Sequence, residues 1–181
     1  IGRGAAAIDD LDQQTHILRR TEATLFGRVN WQGAHEVFGR LSYDYFDFNG
    51  GDSFTGRGDY TVDPLGDRWW YRFDLRNAVA ASEGRRLPWN LSLKAGRQYV
   101  RWTNGLVLSD ELYAVQATAE VSPFKVQVLG ATTPSSSFID FDASRRDFDD
   151  DTHRNFWGGR LTLTGLGNHR PYVYVLRQDD Q

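Results

Sequence analysis

Cysteine is absent from the chain, and so is methionine. Without cysteine there is no disulfide framework and no thiolate metal site. Without methionine even at position 1, the natural start is expected upstream of Ile1. No signal peptide is present at the start of the sequence. Long apolar runs are missing as well. Nothing approaches the roughly 18 uninterrupted apolar residues of a membrane helix, although strands can also span a bilayer. An excess of positive charge is missing too: the net charge is −3, which announces no nucleic-acid partner. There is no nucleophile elbow, P-loop or dinucleotide fingerprint. No enzymatic activity and no cofactor is therefore expected. His16, His35, His153 and His169 lie near expected strand ends without metal-ligand spacing, so no metal is expected either.

What is present is alternation, in a chain that is 14% aromatic. In RRTEATLFGRVNWQ (19–32), Thr21, Ala23, Leu25, Gly27, Val29 and Trp31 form one set, small or apolar throughout. Arg20, Glu22, Thr24, Arg28, Asn30 and Gln32 form the other, polar apart from Phe26. A period of two is a strand with two unlike faces. The pattern returns in 35–48, 67–76, 89–96, 111–121, 124–131 and 156–165, and more weakly in 170–178. That makes about eight strands of a length that crosses a bilayer at a tilt, roughly 9–11 residues. The opening stretch, 1–15, does not alternate and is expected to be a tether or a short helix. Residues 16–181 would carry the strands.

The connections differ in length. QGAH (32–35), VSPF (121–124) and TGLGNHRP (164–171) are tight and punctuated by Gly or Pro. Stretches 49–66 and 132–155 are long and polar, 103–110 is intermediate, and 77–88 fits the short set least well. Short turns at one end and longer loops at the other are how outer-membrane barrels are built.

Alternation fits a soluble sheet as well as a transmembrane one. Aromatic placement separates them, because lipid-facing rings gather at the two interfaces. Trp31, Trp89 and Phe124 fall beside the short turns. Tyr43, Tyr45, Trp69, Tyr71, Tyr113 and Trp157 fall beside the longer loops. Strand middles carry Leu25, Leu41, Leu93, Ala117, Val126 and Leu161 instead. Trp31, Tyr43, Trp69, Trp89, Tyr113 and Trp157 are the expected aromatic girdles.

The opposite set would line a wet lumen. Arg28, Arg40, Arg72, Arg76, Lys94 and Arg160 share it with Glu22, Glu36, Asp44, Asp74 and Glu120. Arginine far outnumbers lysine, as suits forked pairing with carboxylates. In KAGRQYVRWT (94–103) the polarity slips. A bulge at Gly96 would return Val100 and Trp102 to the lipid set and turn Arg97, Tyr99 and Arg101 inward. Lys94, Arg97 and Arg101 would then form a basic stripe, either contacting an anionic solute or neutralising Asp74 and Glu120.

The segment GRQYVRWTNGLVLSD (96–110) resembles the strand–loop segment of the alginate-export family of outer-membrane barrels. Those segments run Gly-Arg-Gln, then an aromatic–basic pair, then a Gly-containing turn. The Arg/Asp alternation of inward strands is similar. The resemblance implies a monomeric barrel whose electropositive lumen conducts an acidic polysaccharide, with Arg97 and Arg101 as lumen residues.

Strand 19–32 runs into a short turn, so it would descend, whereas such barrels usually begin with an ascending strand. The ending RQDDQ lacks their usual terminal aromatic. An upstream strand and a larger barrel are therefore expected. The rival is a closed eight-strand barrel filled by its own side chains. Other motifs carry less. The acidic stretch 138–153 lacks the spacing of a Ca²⁺ loop, GRGDY (56–60) is a common short match, and the Asn90-Leu91-Ser92 sequon lies within an expected strand.

These readings converge on an all-β chain, an antiparallel up-and-down transmembrane β-barrel of the bacterial outer membrane. It would pass small or anionic solutes by diffusion through an Arg/Asp-lined lumen. Its partners would be the lipid bilayer, lipopolysaccharide and an anionic solute or polysaccharide. Two alternatives stand beside it: a non-conducting barrel that sheathes or docks a partner protein in the membrane, and a soluble β-sandwich that binds carbohydrate.

Overall fold

The computed structural model describes residues 2–9, 15–48, 59–102, 105, 107–134, 153–167 and 169–180. Its strands are β1 (Gly2–Asp9), β2 (Thr15–Trp31), β3 (His35–Phe48), β4 (Tyr60–Asp74), β5 (Trp89–Trp102), β6 (Leu108–Val121), β7 (Phe124–Thr132), β8 (Arg154–Leu163) and β9 (Tyr172–Asp180). One helix, α1 (Leu75–Glu83), separates β4 from β5. The nine strands form one antiparallel sheet in chain order, β1 to β9. This is a meander without the crossovers of a Greek-key sandwich, and among the described residues β1 and β9 are its end strands.

Two sequence expectations change here. The opening residues form a strand, not a tether or helix: β1 pairs with β2 from Gly2↔Glu22 to Asp9↔Thr15. The strand expected ahead of β2 is therefore within the chain. Its run of small residues hides the alternation that marks the others. The second change is α1, which takes Leu75 and Arg76 out of the expected strand 67–76. Asp74 caps it, accepting from Asn77 N at 3.0 Å, and Gly84 ends it at φ 68°, where a side chain would be strained.

The chain divides into two compact units, Ile1–Gly27 with Gly39–Asp67, and Arg28–Phe38 with Arg68–Gln181. In the first unit, Arg20 forks onto Asp44 with bonds of 2.9 and 3.0 Å. The Arg20 guanidinium lies 5.5 Å from the Phe46 ring, which stacks on Tyr60 at 4.7 Å.

The second unit is organised by one unbroken ladder. β5 and β6 pair from Trp89↔Val121 to Trp102↔Leu108 without a slip. Gly96 therefore introduces no bulge between them, and residue parity is kept along the whole of β5. Asn90, Ser92, Lys94, Gln98, Val100 and Trp102 share one face, here the Lys94 face. Trp89, Leu91, Leu93, Ala95, Arg97, Tyr99 and Arg101 share the other, the Leu93 face. The tight turns that hold the register are Gln32–Gly33–Ala34 and Ser122–Pro123.

Each face changes chemistry along the strands. Toward the short turns the Lys94 face is polar, with Asn90, Ser92, Gln116, Thr118, Lys125, Gln127, Arg160 and Thr162. Toward the longer loops it is mainly apolar. Val100, Trp102, Leu108, Leu112, Ala114, Leu129, Ala131 and Phe156 form a buried cluster with Leu176 packed against it. A Cβ on Gly158 would lie 2.7 Å from the Trp102 ring. By register Gly158 lies level with Lys94, three strands away (about 14 Å across the sheet) and eight residues short of Trp102 (about 27 Å along the strand). The contact therefore requires the loop end of β5 to bend over a concave Lys94 face.

Candidate functional site: a charged ladder on the Lys94 face

The short-turn half of the Lys94 face assembles four neighbouring strands around one carboxylate. Glu36 of β3 is only 3% exposed. It is ion-paired with Arg28 Nε of β2, and Arg72 Nη1 of β4 stands 3.8 Å from its second oxygen. Lys94 of β5 places its Nζ 4.3 Å from the centre of the Trp70 ring, which stacks on Phe38 at 5.6 Å. Three basic groups thus share one carboxylate and one ring stack. A lone buried carboxylate would be very costly, and the two arginines offset that cost. Farther along the same face, Lys125 bonds Glu120 at 2.9 Å, and Arg160 lies 4.8 Å over the Tyr172 ring.

Of the basic residues expected together, Arg28, Arg72 and Lys94 meet around Glu36, and Arg160 is on the same face. Arg40 lies in β3 of the first unit, at the same parity as Asp44. Arg76 does not line a strand. It opens α1, where its N–H donates to Asn90 Oδ1 at 2.9 Å and its Nε to Trp89 O at 3.3 Å.

Arg97 and Arg101 are on the opposite face, with Leu93 and Trp89. The expected Lys94–Arg97–Arg101 stripe is thus split between faces. Gly96 is special for a different reason than a bulge. Its φ is +133°, and a Cβ there would stand 2.4 Å from Trp69 O. It lets β4 approach β5 closely while parity stays fixed.

On the Leu93 face, Trp69 and Tyr113 meet with ring centres 6.2 Å apart, and the Trp157 ring lies against Gly130. Trp31, Trp89 and Phe124 are exposed beside the short turns. Tyr43 is exposed in the first unit. Tyr71 was expected near the longer loops but sits at the short-turn end, its hydroxyl 2.7 Å from His35 Nδ1. β4 runs three residues beyond it before α1 begins, which accounts for the shift.

Sequence reading missed two features. One is the fully buried Gln98, whose Nε2 donates to Ala114 O at 3.0 Å. The other is the buried cluster around Trp102. The signal for the cluster was the apolar character of Val100 and Trp102 on the even positions, whereas nothing in the sequence marked the polar Gln98 as buried. Stretch 138–153 lies outside the described residues except for His153, as does GRGDY except for Asp59 and Tyr60. Among the described residues no His, Asp and Glu group has an arrangement that could hold a metal ion. No helix among them is long and apolar enough to cross a membrane, which says nothing of strands.

Comparison with protein-family models, with curated proteins and with solved structures gives no match.

Proposed function

We propose that the chain is a membrane-embedded β-sheet of an outer-membrane channel, and that the Glu36 ladder faces the solute path. One observation carries this reading: the sheet is inside-out where the strands approach the short turns. Val115, Val128 and Val175 are 56%, 54% and 74% exposed, while Asn90 and Thr162 are 8% and 3% exposed. Leaving apolar side chains out and polar ones in opposes the hydrophobic effect in water. It is the favourable arrangement when the outer solvent is lipid. Near the longer loops the same strands revert to a water-soluble pattern, apolar inside and polar outside. The step from Tyr113 to Val121 spans eight residues, about 27 Å of strand and about 20 Å across a bilayer at a 40° tilt. That is close to the apolar band of about 25 Å on such barrels.

Mixed charge on the path would screen solutes by sign. Arg28, Arg72 and Lys94 outnumber Glu36, which favours small anions. The non-conducting alternative has its own observation, the buried cluster around Trp102, which packs the loop end of the concave face. Both readings are tested on the full-length protein in planar bilayers. Discrete current steps with anion-selective reversal potentials support the channel. A detergent-dependent protein that carries no current, and begins to conduct as Trp102→Ala, supports the sealed barrel. A protein that stays soluble and monodisperse without detergent overturns both.

A further inference from the structure

The Leu93 face of the second unit is zoned from the short turns to the loops. First comes an aliphatic band with Leu93, Val115, Val126, Val128, Leu161 and Val175. Next come the rings of Trp69, Tyr113 and Trp157. Beyond them the face is polar, with Arg97 paired to Tyr113, Tyr99 to Glu111, and Arg101 to Ser109. A groove of about 420 Å³ runs through the ring zone, walled by Trp69, Tyr113 and Trp157 and floored by Val115, Gly130 and Thr132.

The charges above this groove are unequally satisfied. Arg68 crosses the Tyr99 ring, 5.7 Å from its centre, and is ion-paired with Glu111. Arg97 has no ion pair among the described residues. Its guanidinium lies 5.9 Å over the Tyr113 ring, and its buried Nε has no acceptor. Arg101 is exposed on the same face, one pairing step past Tyr99. An arginine held against a ring at the edge of an apolar groove, with donors to spare, matches a ligand that is anionic at its head and aliphatic in its tail.

We infer that this face binds lipopolysaccharide, with a phosphate of its glucosamine headgroup on Arg97 and Arg101 and an acyl chain in the Tyr113–Trp157 groove. Charge complementarity and the vertical order of the zones select this occupant. The longer loops of such barrels lie outside the cell, where the outer leaflet carries phosphorylated saccharide lipid. The inference rests on the membrane reading above but not on conduction.

The full-length protein is extracted from outer membranes in mild detergent, and retained lipid is measured by native mass spectrometry. Wild type and the control Arg85→Gln, in the exposed segment between α1 and β5, are expected to retain lipopolysaccharide. The double variant Arg97→Gln/Arg101→Gln is expected to retain it about tenfold less or lower, because charge-assisted bonds to phosphate are lost. Equal retention by the double variant overturns the site. Should that variant not fold, delipidated wild type is titrated with intact and with dephosphorylated lipopolysaccharide. A rise in unfolding temperature with the intact lipid alone supports the site, and equal rises overturn it. Equal displacement by phosphatidylglycerol overturns the choice of lipopolysaccharide. Lipid retention without current upholds this inference while the channel reading fails, and a protein soluble without detergent ends both.

Discussion

Glu36 shows how one residue can set the sign of a surface. Its carboxylate is buried, yet Arg28 and Arg72 keep 63% and 43% of their side chains exposed. The pair is therefore partly screened. Glu36→Gln should destabilise by about 1–3 kcal/mol, less than the loss of a partner from a fully buried pair. It should also move the reversal potential of the proposed channel further toward anions. Unfolding in detergent reads the first effect and bilayer recording the second. A shift toward cations would remove Glu36 from the solute path. The carboxylate and its arginines were legible in the sequence as members of one alternating set. Their meeting was not, because that depends on the register of β2, β3 and β4.

At the scale of elements, β5 holds the main lesson. The polarity of its even positions changes after Lys94, from Asn90 and Ser92 to Val100 and Trp102. Read as a sequence, that change resembles a slipped register, and a glycine at the breakpoint invites a bulge. The ladder shows no slip. The surroundings change instead of the parity. Eight of the strands were foreshadowed by alternation, whereas β1 was hidden by its small residues. α1 was hidden because a nine-residue helix within a run of strands was read for period two. Its cap signals, Asp74 before and Gly84 after, were there to be seen. Gly96→Ala tests the close approach of β4 to β5. With φ at +133° and backbone 2.4 Å away, the variant should lose about 3 kcal/mol or more. Wild-type stability would show that β4 yields freely at Trp69.

For the whole molecule the decisive variable is depth. If lipid covers the Leu93 face, the cost of a charge should follow position along the strand. Val115→Arg should cost about 2–4 kcal/mol in a bilayer, and Tyr99→Arg about 0–1 kcal/mol. Folding titrations into vesicles measure both. Equal costs at the two positions would mean that no apolar slab lies between them. That the chain is all-β and antiparallel was readable from alternation and turn punctuation alone. The site was readable only in part, because Arg97 and Arg101 were assigned to the face their chemistry suits in a pore.

The zoning of β5 and β6 also bears on how the protein comes to be where it works. An outer-membrane hairpin enters from the periplasm and must push its loop end through hydrocarbon first. On the proposed membrane reading, that end carries Arg97, Arg101 and Glu111 on the lipid side. Each arginine costs about 2–4 kcal/mol at mid-bilayer, and the penalty vanishes once the tip emerges. Translocation of the β5–β6 tip would then be the steep step of assembly. It would also act as a ratchet, since sliding back would carry the same charges through the same slab.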